Sequence, residues 1–129
     1  MERNLSLEDI REKHRYDKKL KRFSNKHYFN DNRIYGSINS NLDVERANNY
    51  LENSLEQYKG IYPLVNEDIE ELEKAMGRYE IAIRKVIACL DTPNTDFNYN
   101  AEQLQELIDS VFEKHEKVDK LRQRKLFQD

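Results

Sequence analysis

The stretch that decides the fold is residues 66–93, NEDIEELEKAMGRYEIAIRKVIACLDTP. Its large apolar residues follow one another at alternating steps of three and four, which is the spacing of a heptad seam along one helix face. The members of this seam are Ile69, Leu72, Met76, Tyr79, Ile83, Val86 and Leu90. Asn66 is a suitable N-cap, and Pro93 stands just beyond the end. The pattern predicts a helix over residues 67–91.

The regions on either side predict two more helices. Residues 101–127 carry an apolar stripe with acidic residues early and basic residues late, which suits both ends of a helix dipole. Residues 43–59 carry a shorter stripe followed by Gly60, a residue typical of the position after a helix. Since the predicted elements are all helices, the predicted fold class is all-α. Short connections make consecutive helices antiparallel neighbours. We expect an antiparallel three-helix bundle, made of a coiled-coil-like helical hairpin and a shorter helix.

The composition agrees with an all-helical chain. Of the 129 residues, 36% are charged and 37% are hydrophobic, and the chain has three glycines and two prolines. This balance suits long helices with narrow apolar stripes and supplies too few turn residues for an all-β fold. The single cysteine, Cys89, excludes an internal disulfide. With no signal-like opening and no apolar run of ~18 residues, the sequence predicts a cytoplasmic protein without a membrane span.

The N-terminal part is basic and the remainder is acidic. Residues 1–35 carry ten basic and six acidic side chains, a net of +4, whereas the other residues carry a net of −7. Ser6 and Asp9 have the spacing of a capping box, so a helix is predicted over about residues 6–27. We therefore divide the chain into residues 1–41, a basic amphipathic helix with its connection, and residues 42–129, the bundle.

The N-terminal helix has two faces on a helical wheel. The basic ridge consists of Arg11, Arg15, Lys18, Arg22 and Lys26, and the apolar stripe opposite consists of Tyr16, Leu20 and Phe23. The residues Leu7, Ile10 and His14 do not share that stripe, so the first turns either face elsewhere or belong to a bend.

Three interpretations of this helix remain open. In the first, the stripe packs on the bundle, and the ridge is solvated or meets the acidic residues of the bundle. In the second, the ridge contacts the phosphates of DNA or RNA, with an affinity that falls steeply with salt. In the third, the stripe enters a groove on another protein or the helix lies on an anionic membrane surface.

Two further features indicate contacts with other elements or partners. On the back of the central helix lie Gly77, Ile81 and Ala88, where a solvated face would carry charged residues. The predicted occupant of this second packing surface is either the N-terminal helix, through Leu20 and Phe23, or a second copy of the chain in a homodimer.

The long connection after the N-terminal helix is rich in aromatic residues and turn formers. We expect it to bind a partner or to cover one end of the bundle, with residues 28–35 as a candidate hairpin. Its candidate partner-binding residues are Tyr28, Phe29, Ile34 and Tyr35.

The sequence contains none of the usual catalytic patterns. It has no glycine-rich phosphate loop, and His14, His27 and His115 are not spaced as metal ligands. The acidic residues 67–73 are expected to spread around an exposed helix end. We therefore expect no enzymatic activity, no metal site and no cofactor.

The functional prediction is a small helical binding protein that acts on another protein as an adaptor, regulator or inhibitor. A nucleic-acid-binding protein that uses the basic ridge is the first alternative. An oligomeric scaffold or virion assembly component is the second. The abundance of Asn, Lys, Ile, Tyr and Phe is typical of an AT-rich coding sequence, such as that of a phage or a mobile element.

Overall fold

The computed structural model describes residues 6–27 and 31–125, except for the side chains of residues 31 and 32. Over these residues the chain is all-helical. The helices are α1 (Leu7–His14), a 3₁₀ helix (Lys18–Lys21), α2 (Asp31–Ser37), α3 (Asn41–Lys59), α4 (Asn66–Cys89) and α5 (Ala101–Arg122). The predicted helical bundle is therefore confirmed.

Helix α4 lies at the centre, and the other helices pack around it. All seven members of its heptad seam are buried. On the facing side of α5, the buried residues are Leu104, Ile108, Val111, His115, Val118 and Leu121. The packing of α5 on α4 thus follows from the two heptad-like stripes meeting each other, and α3 adds Val44, Leu51, Leu55 and Tyr58 to the core.

Contacts between the connections and distant helix ends fix the antiparallel order of α3, α4 and α5. The backbone N–H of Leu64, between α3 and α4, donates to the carbonyl oxygen of Arg124 at 3.0 Å. At the other end, the N–H of Asn41 donates to the carbonyl oxygen of Asp96 at 3.2 Å. The end of α5 therefore lies beside one connection and the start of α3 beside the other.

Local capping explains where several helices begin. Ser6 and Asp9 form the predicted capping box at α1, and Ser40 forms a second one with Asp43 at α3. The N–H of Asn39 also donates to the Asp43 carboxylate, and this hydrogen bond lowers the pKa of Asp43 below its usual value. The capping places the start of α3 two residues before the predicted position, and α5 ends at Arg122 rather than at residue 127.

The prediction of one continuous helix over residues 6–27 is wrong. Helix α1 ends at His14, and Asp17 then caps a separate 3₁₀ helix by accepting a hydrogen bond from the N–H of Lys19 at 2.9 Å. The break has a simple cause, because the two apolar groups of this segment lie on different faces of a straight helix. Bending the chain turns both Ile10 and Leu20 into the core.

The connection after this segment contains a helix rather than a hairpin. Residues 31–37 form α2, so the described part of the hairpin predicted over residues 28–35 is helical. Ile38, directly after α2, is buried in the core together with residues of the bundle.

The back of α4 is covered by the N-terminal segment. Gly77 and Ile81 are buried there, whereas Ala88 is exposed and does not belong to this surface. A Cβ atom on residue 77 would lie 3.2 Å from the backbone N and Cα atoms of Ser24 and 3.3 Å from the carbonyl carbon of Phe23. Glycine therefore lets another backbone approach α4 closely, because even a methyl group at residue 77 would press on that backbone.

Among the described residues, no helix is both long enough and apolar enough to cross a membrane.

We predict that Gly77→Leu will destabilise the protein by about 1–3 kcal/mol, because a larger side chain must displace the backbone at Ser24. The free energy of unfolding from urea titrations measures the effect. Ala88→Leu is the matched control, since residue 88 is exposed on the same helix and should tolerate leucine. Equal stability of the two variants would contradict the close approach.

Candidate functional site

The fold divides the predicted apolar stripe of the N-terminal segment. Leu20 and Phe23 are fully buried and belong to the core. Tyr16 lies on the outside with 81% of its surface exposed. Leu20 and Phe23 are therefore unavailable to a partner while the segment stays docked, and Tyr16 is the member of the stripe that a partner can reach.

The described candidate residues of the aromatic connection are less exposed than the sequence indicated. Tyr28 and Phe29 lie outside the described residues, whereas Ile34 and Tyr35 lie on α2 and are partly buried. The Nζ atom of Lys85 donates to the carbonyl oxygen of Tyr35 at 3.1 Å and lies 4.6 Å from the centre of its ring. These two contacts between Tyr35 and Lys85 hold α2 against α4.

Arg11 of the predicted basic ridge is used inside the molecule. Its Nε donates to the carbonyl oxygen of Ile87 at 3.0 Å, and its guanidinium contacts the carboxylate of Asp91 at 2.9 Å. This contact joins α1 to the carboxyl end of α4, where backbone carbonyl groups lack helical partners. Arg11 is therefore a positioning residue for α1.

Arg22 is also paired. It donates two hydrogen bonds to the carboxylate of Asp119 on α5, at 2.6 and 2.9 Å. The hydrogen bond holds the pKa of the Asp119 carboxyl below its usual value and raises the pKa of Arg22. The guanidinium also lies 4.7 Å from the centre of the Phe23 ring. Arg22 therefore bridges the N-terminal segment to α5.

Lys26, the third paired member of the ridge, meets a buried carboxylate. Glu73 on α4 is 2% exposed and lies 2.6 Å from Nε2 of His27, 2.7 Å from Nε of Arg122 and 3.4 Å from Nζ of Lys26. Groups from the N-terminal segment and from α5 thus converge on one side chain of α4. This convergence compensates the cost of burying its charge.

A second buried carboxylate lies two helical turns further along α4. Glu80 has no exposed surface and accepts hydrogen bonds from the backbone N–H groups of Phe23, at 2.9 Å, and Ser24, at 2.8 Å. Nε2 of His115 on α5 lies 2.6 Å from its other oxygen. Glu80 therefore satisfies backbone groups of a turn that has no regular helix of its own.

Five basic side chains of the N-terminal segment make none of these contacts. Residues 13–21, which we call the basic turn, carry Lys13, Arg15, Lys18, Lys19 and Lys21 against the single acid Asp17. None of the five makes an ion pair or a side-chain hydrogen bond with another residue in the ranges 6–27 and 31–125. Four of them are exposed, and Lys21 is partly buried. Arg15 and Lys18 are thus the members of the predicted ridge that stay free of the bundle within these ranges.

Buried side chains and a helix cap hold the backbone of the basic turn in place. His14 and Leu20 alternate with its cations in sequence and are 6% and 0% exposed, respectively. The ring of His14 lies 6.5 Å from the ring of Phe112 on α5. Asp17 caps the 3₁₀ helix and lies 3.5 Å from Nδ1 of His14. The cations therefore project from a backbone whose path is set by core packing.

Sequence reasoning missed the two buried glutamates. The expectation that residues 67–73 surround an exposed helix end is wrong for Glu73, and Glu80 was not considered. A signal was present, because positions 73, 77 and 80 fall on one face of a helix at 100° per residue. The charges of Glu73 and Glu80 therefore flank Gly77, the residue that already indicated a packing surface.

Comparison of the chain with protein-family models, with curated proteins and with solved structures gives no match. Within the described parts of the chain, no group of three or more His, Cys, Asp or Glu side chains is arranged to hold a metal ion.

We predict that Glu80→Ala will lower the free energy of unfolding by about 3–5 kcal/mol, because it leaves two backbone N–H groups and His115 without their acceptor. Glu80→Gln should cost less, since its amide oxygen still accepts from the N–H groups of Phe23 and Ser24. Urea unfolding of each variant measures the difference.

Glu71→Ala is the control for this experiment, because Glu71 is exposed on the same helix. It should change stability by less than about 0.5 kcal/mol. A Glu80→Ala protein as stable as the Glu71→Ala protein would show that the N-terminal segment does not depend on Glu80.

Proposed function

We propose that this chain is a non-catalytic nucleic-acid-binding protein whose basic turn contacts phosphates. The observation that carries the proposal is the set of five cations in residues 13–21 that have no carboxylate partner in the described ranges. Lysine and arginine contacts to phosphate give affinity with little base specificity. The expected activity is therefore binding that depends on charge more than on sequence.

The fixed path of the basic turn supports this proposal. Ile10 and His14 anchor it on one side and Leu20 and Phe23 on the other, all with less than a tenth of their surface exposed. A phosphate-binding segment that is already ordered loses less conformational entropy on binding than a disordered basic tail. The cations are therefore presented at a low ordering cost.

The net acidity of the chain is compatible with a local phosphate site. The chain carries a net charge of −3, but Asp91, Asp119 and Glu73 are held by contacts with basic side chains. Beyond about 8–10 Å, exposed charges are largely screened at physiological salt. The positive potential close to residues 13–21 therefore governs what binds there.

We predict that short DNA and RNA oligonucleotides bind with an affinity that falls about 20- to 50-fold between 50 and 200 mM salt, if three or four phosphates of a single strand are neutralised. Lys18→Glu/Lys19→Glu should weaken binding strongly and flatten this salt dependence, because two phosphate contacts are removed. Fluorescence anisotropy with labelled oligonucleotides measures both quantities.

The matched control is Lys117→Glu/Lys120→Glu, which reverses two exposed lysines of α5 and changes the net charge equally. It should bind nearly as tightly as the unaltered protein. If both double variants lose affinity alike, net charge rather than the basic turn is responsible, and the proposed site is wrong.

A second candidate function is binding to another protein through an apolar corner, residues 61–65. Ile61, Tyr62 and Val65 are 37%, 78% and 45% exposed, while Leu64 between them is buried and bonded to the backbone of Arg124. A fixed cluster of exposed apolar side chains is typical of an interaction surface. We propose a second copy of the chain as the occupant, at a surface other than the back of α4, where the sequence analysis placed the homodimer contact.

This candidate predicts that the mass measured by light scattering rises with concentration towards that of two chains. Ile61→Ser/Tyr62→Ser should remain monomeric, because it removes the largest exposed apolar side chains of the corner. Tyr16→Ser, which removes an exposed tyrosine elsewhere, should associate like the unaltered protein. A mass of one chain at every concentration would exclude self-association.

A further inference from the structure

We infer that the basic turn recognises single-stranded nucleic acid, with the ring of Tyr16 serving as a platform on which an unpaired base stacks. This inference rests on the proposed phosphate-binding function and adds the class of nucleic acid and the residue that selects it. Three observations carry it: the exposure of Tyr16, its place among the cations, and the shape of the segment.

Tyr16 is the most exposed large apolar side chain among the described residues, at 81%. It lies at the break between α1 and the 3₁₀ helix, and its side chain makes no hydrogen bond within the described ranges. Most of the surface of this side chain is therefore open to solvent. A base can therefore stack on Tyr16 without any rearrangement of the core.

The cations flank Tyr16 on both sides. Lys13 and Arg15 precede it, and Lys18 and Lys19 follow it. In a single strand, phosphates alternate with bases along the chain, so an aromatic ring between cations can take a base while its neighbours take the adjacent phosphates. This interleaving matches the chemistry of a flexible single strand.

A duplex suits the segment less well. Helix α1 has eight residues, and the chain bends before the four-residue 3₁₀ helix begins, so the segment offers no long straight helix for the major groove. The bases of a duplex are also stacked on one another and leave Tyr16 without a partner. Phosphate contacts are then the main interaction that a duplex can make here.

An anionic membrane surface would also attract the cations. Stable interfacial binding, however, needs an apolar face of several side chains, and the basic turn exposes the single ring of Tyr16 while its leucine is buried. The observations therefore favour nucleic acid over lipid, and vesicles serve as one arm of the test.

The test compares Tyr16→Ala and Tyr16→Phe with the unaltered protein by fluorescence anisotropy, using a mixed-sequence single strand and the duplex of the same sequence. Tyr16→Ala should weaken single-strand binding about five-fold or more, because one stacked base is lost. Its duplex affinity should stay within two-fold, because a duplex contacts the protein through its phosphates and has no base stacked on Tyr16. Tyr16→Phe keeps the ring and should restore single-strand binding.

Tyr50→Ala is the matched control, since Tyr50 is 48% exposed but lies on α3, away from the basic turn in sequence. It should leave both affinities unchanged. A second readout uses Tyr16→Trp, which introduces the only tryptophan because the chain has none. Its fluorescence should be quenched by the single strand and not by the duplex.

The outcomes separate the inference from the proposed function. If reversing Lys18 and Lys19 abolishes binding but Tyr16→Ala weakens single strand and duplex equally or not at all, the stacking role is wrong and the phosphate site stands. If neither nucleic acid binds at low salt, both fail. Binding to phosphatidylserine vesicles that depends on Tyr16, without binding to nucleic acid, would overturn both in favour of a membrane surface.

Discussion

A carboxylate buried in a helical bundle needs hydrogen-bond donors, and in this protein the donors come from outside the helix that carries it. Glu80 has no exposed surface and is held by the N–H groups of Phe23 and Ser24 and by His115. An uncompensated charge at this depth would cost several kcal/mol, so burial of Glu80 requires these donors. The position of the N-terminal segment, and hence of the basic turn, depends on this requirement.

Three carboxylates of the bundle, one of them buried, also decide which cations are left for a ligand. Where the backbone follows α4 and α5, the basic side chains meet Glu73, Asp91 and Asp119. At the bend between α1 and the 3₁₀ helix, the cations of residues 13–21 make no ion pair with a residue in the described ranges. The basic turn is therefore defined by the tertiary structure. The sequence shows one basic ridge and does not distinguish the side chains that form ion pairs from those that form none within the described ranges.

The sequence predicts the bundle well because heptad spacing is a local signal and the seam of α4 is uninterrupted. The position of the N-terminal bend does not follow from the pattern, since the offset between Ile10 and Leu20 indicates a change of direction without giving its place. Glu73 and Glu80 were missed because a charged residue on a helix is usually solvated. Their partners lie far away in the chain, at His27, Arg122 and His115, and only the tertiary structure brings them together.

The contacts of Glu80 and Arg22 have a consequence for the order of folding. Phe23 and Glu80 are 57 positions apart, and Arg22 and Asp119 are 97 positions apart. During synthesis Phe23 cannot make its contact until α4 has been made, and Arg22 cannot make its contact until α5 has been made. Until then Leu20 and Phe23 are exposed beside a run of basic residues. The incomplete chain therefore has an aggregation-prone apolar surface that the folded protein buries.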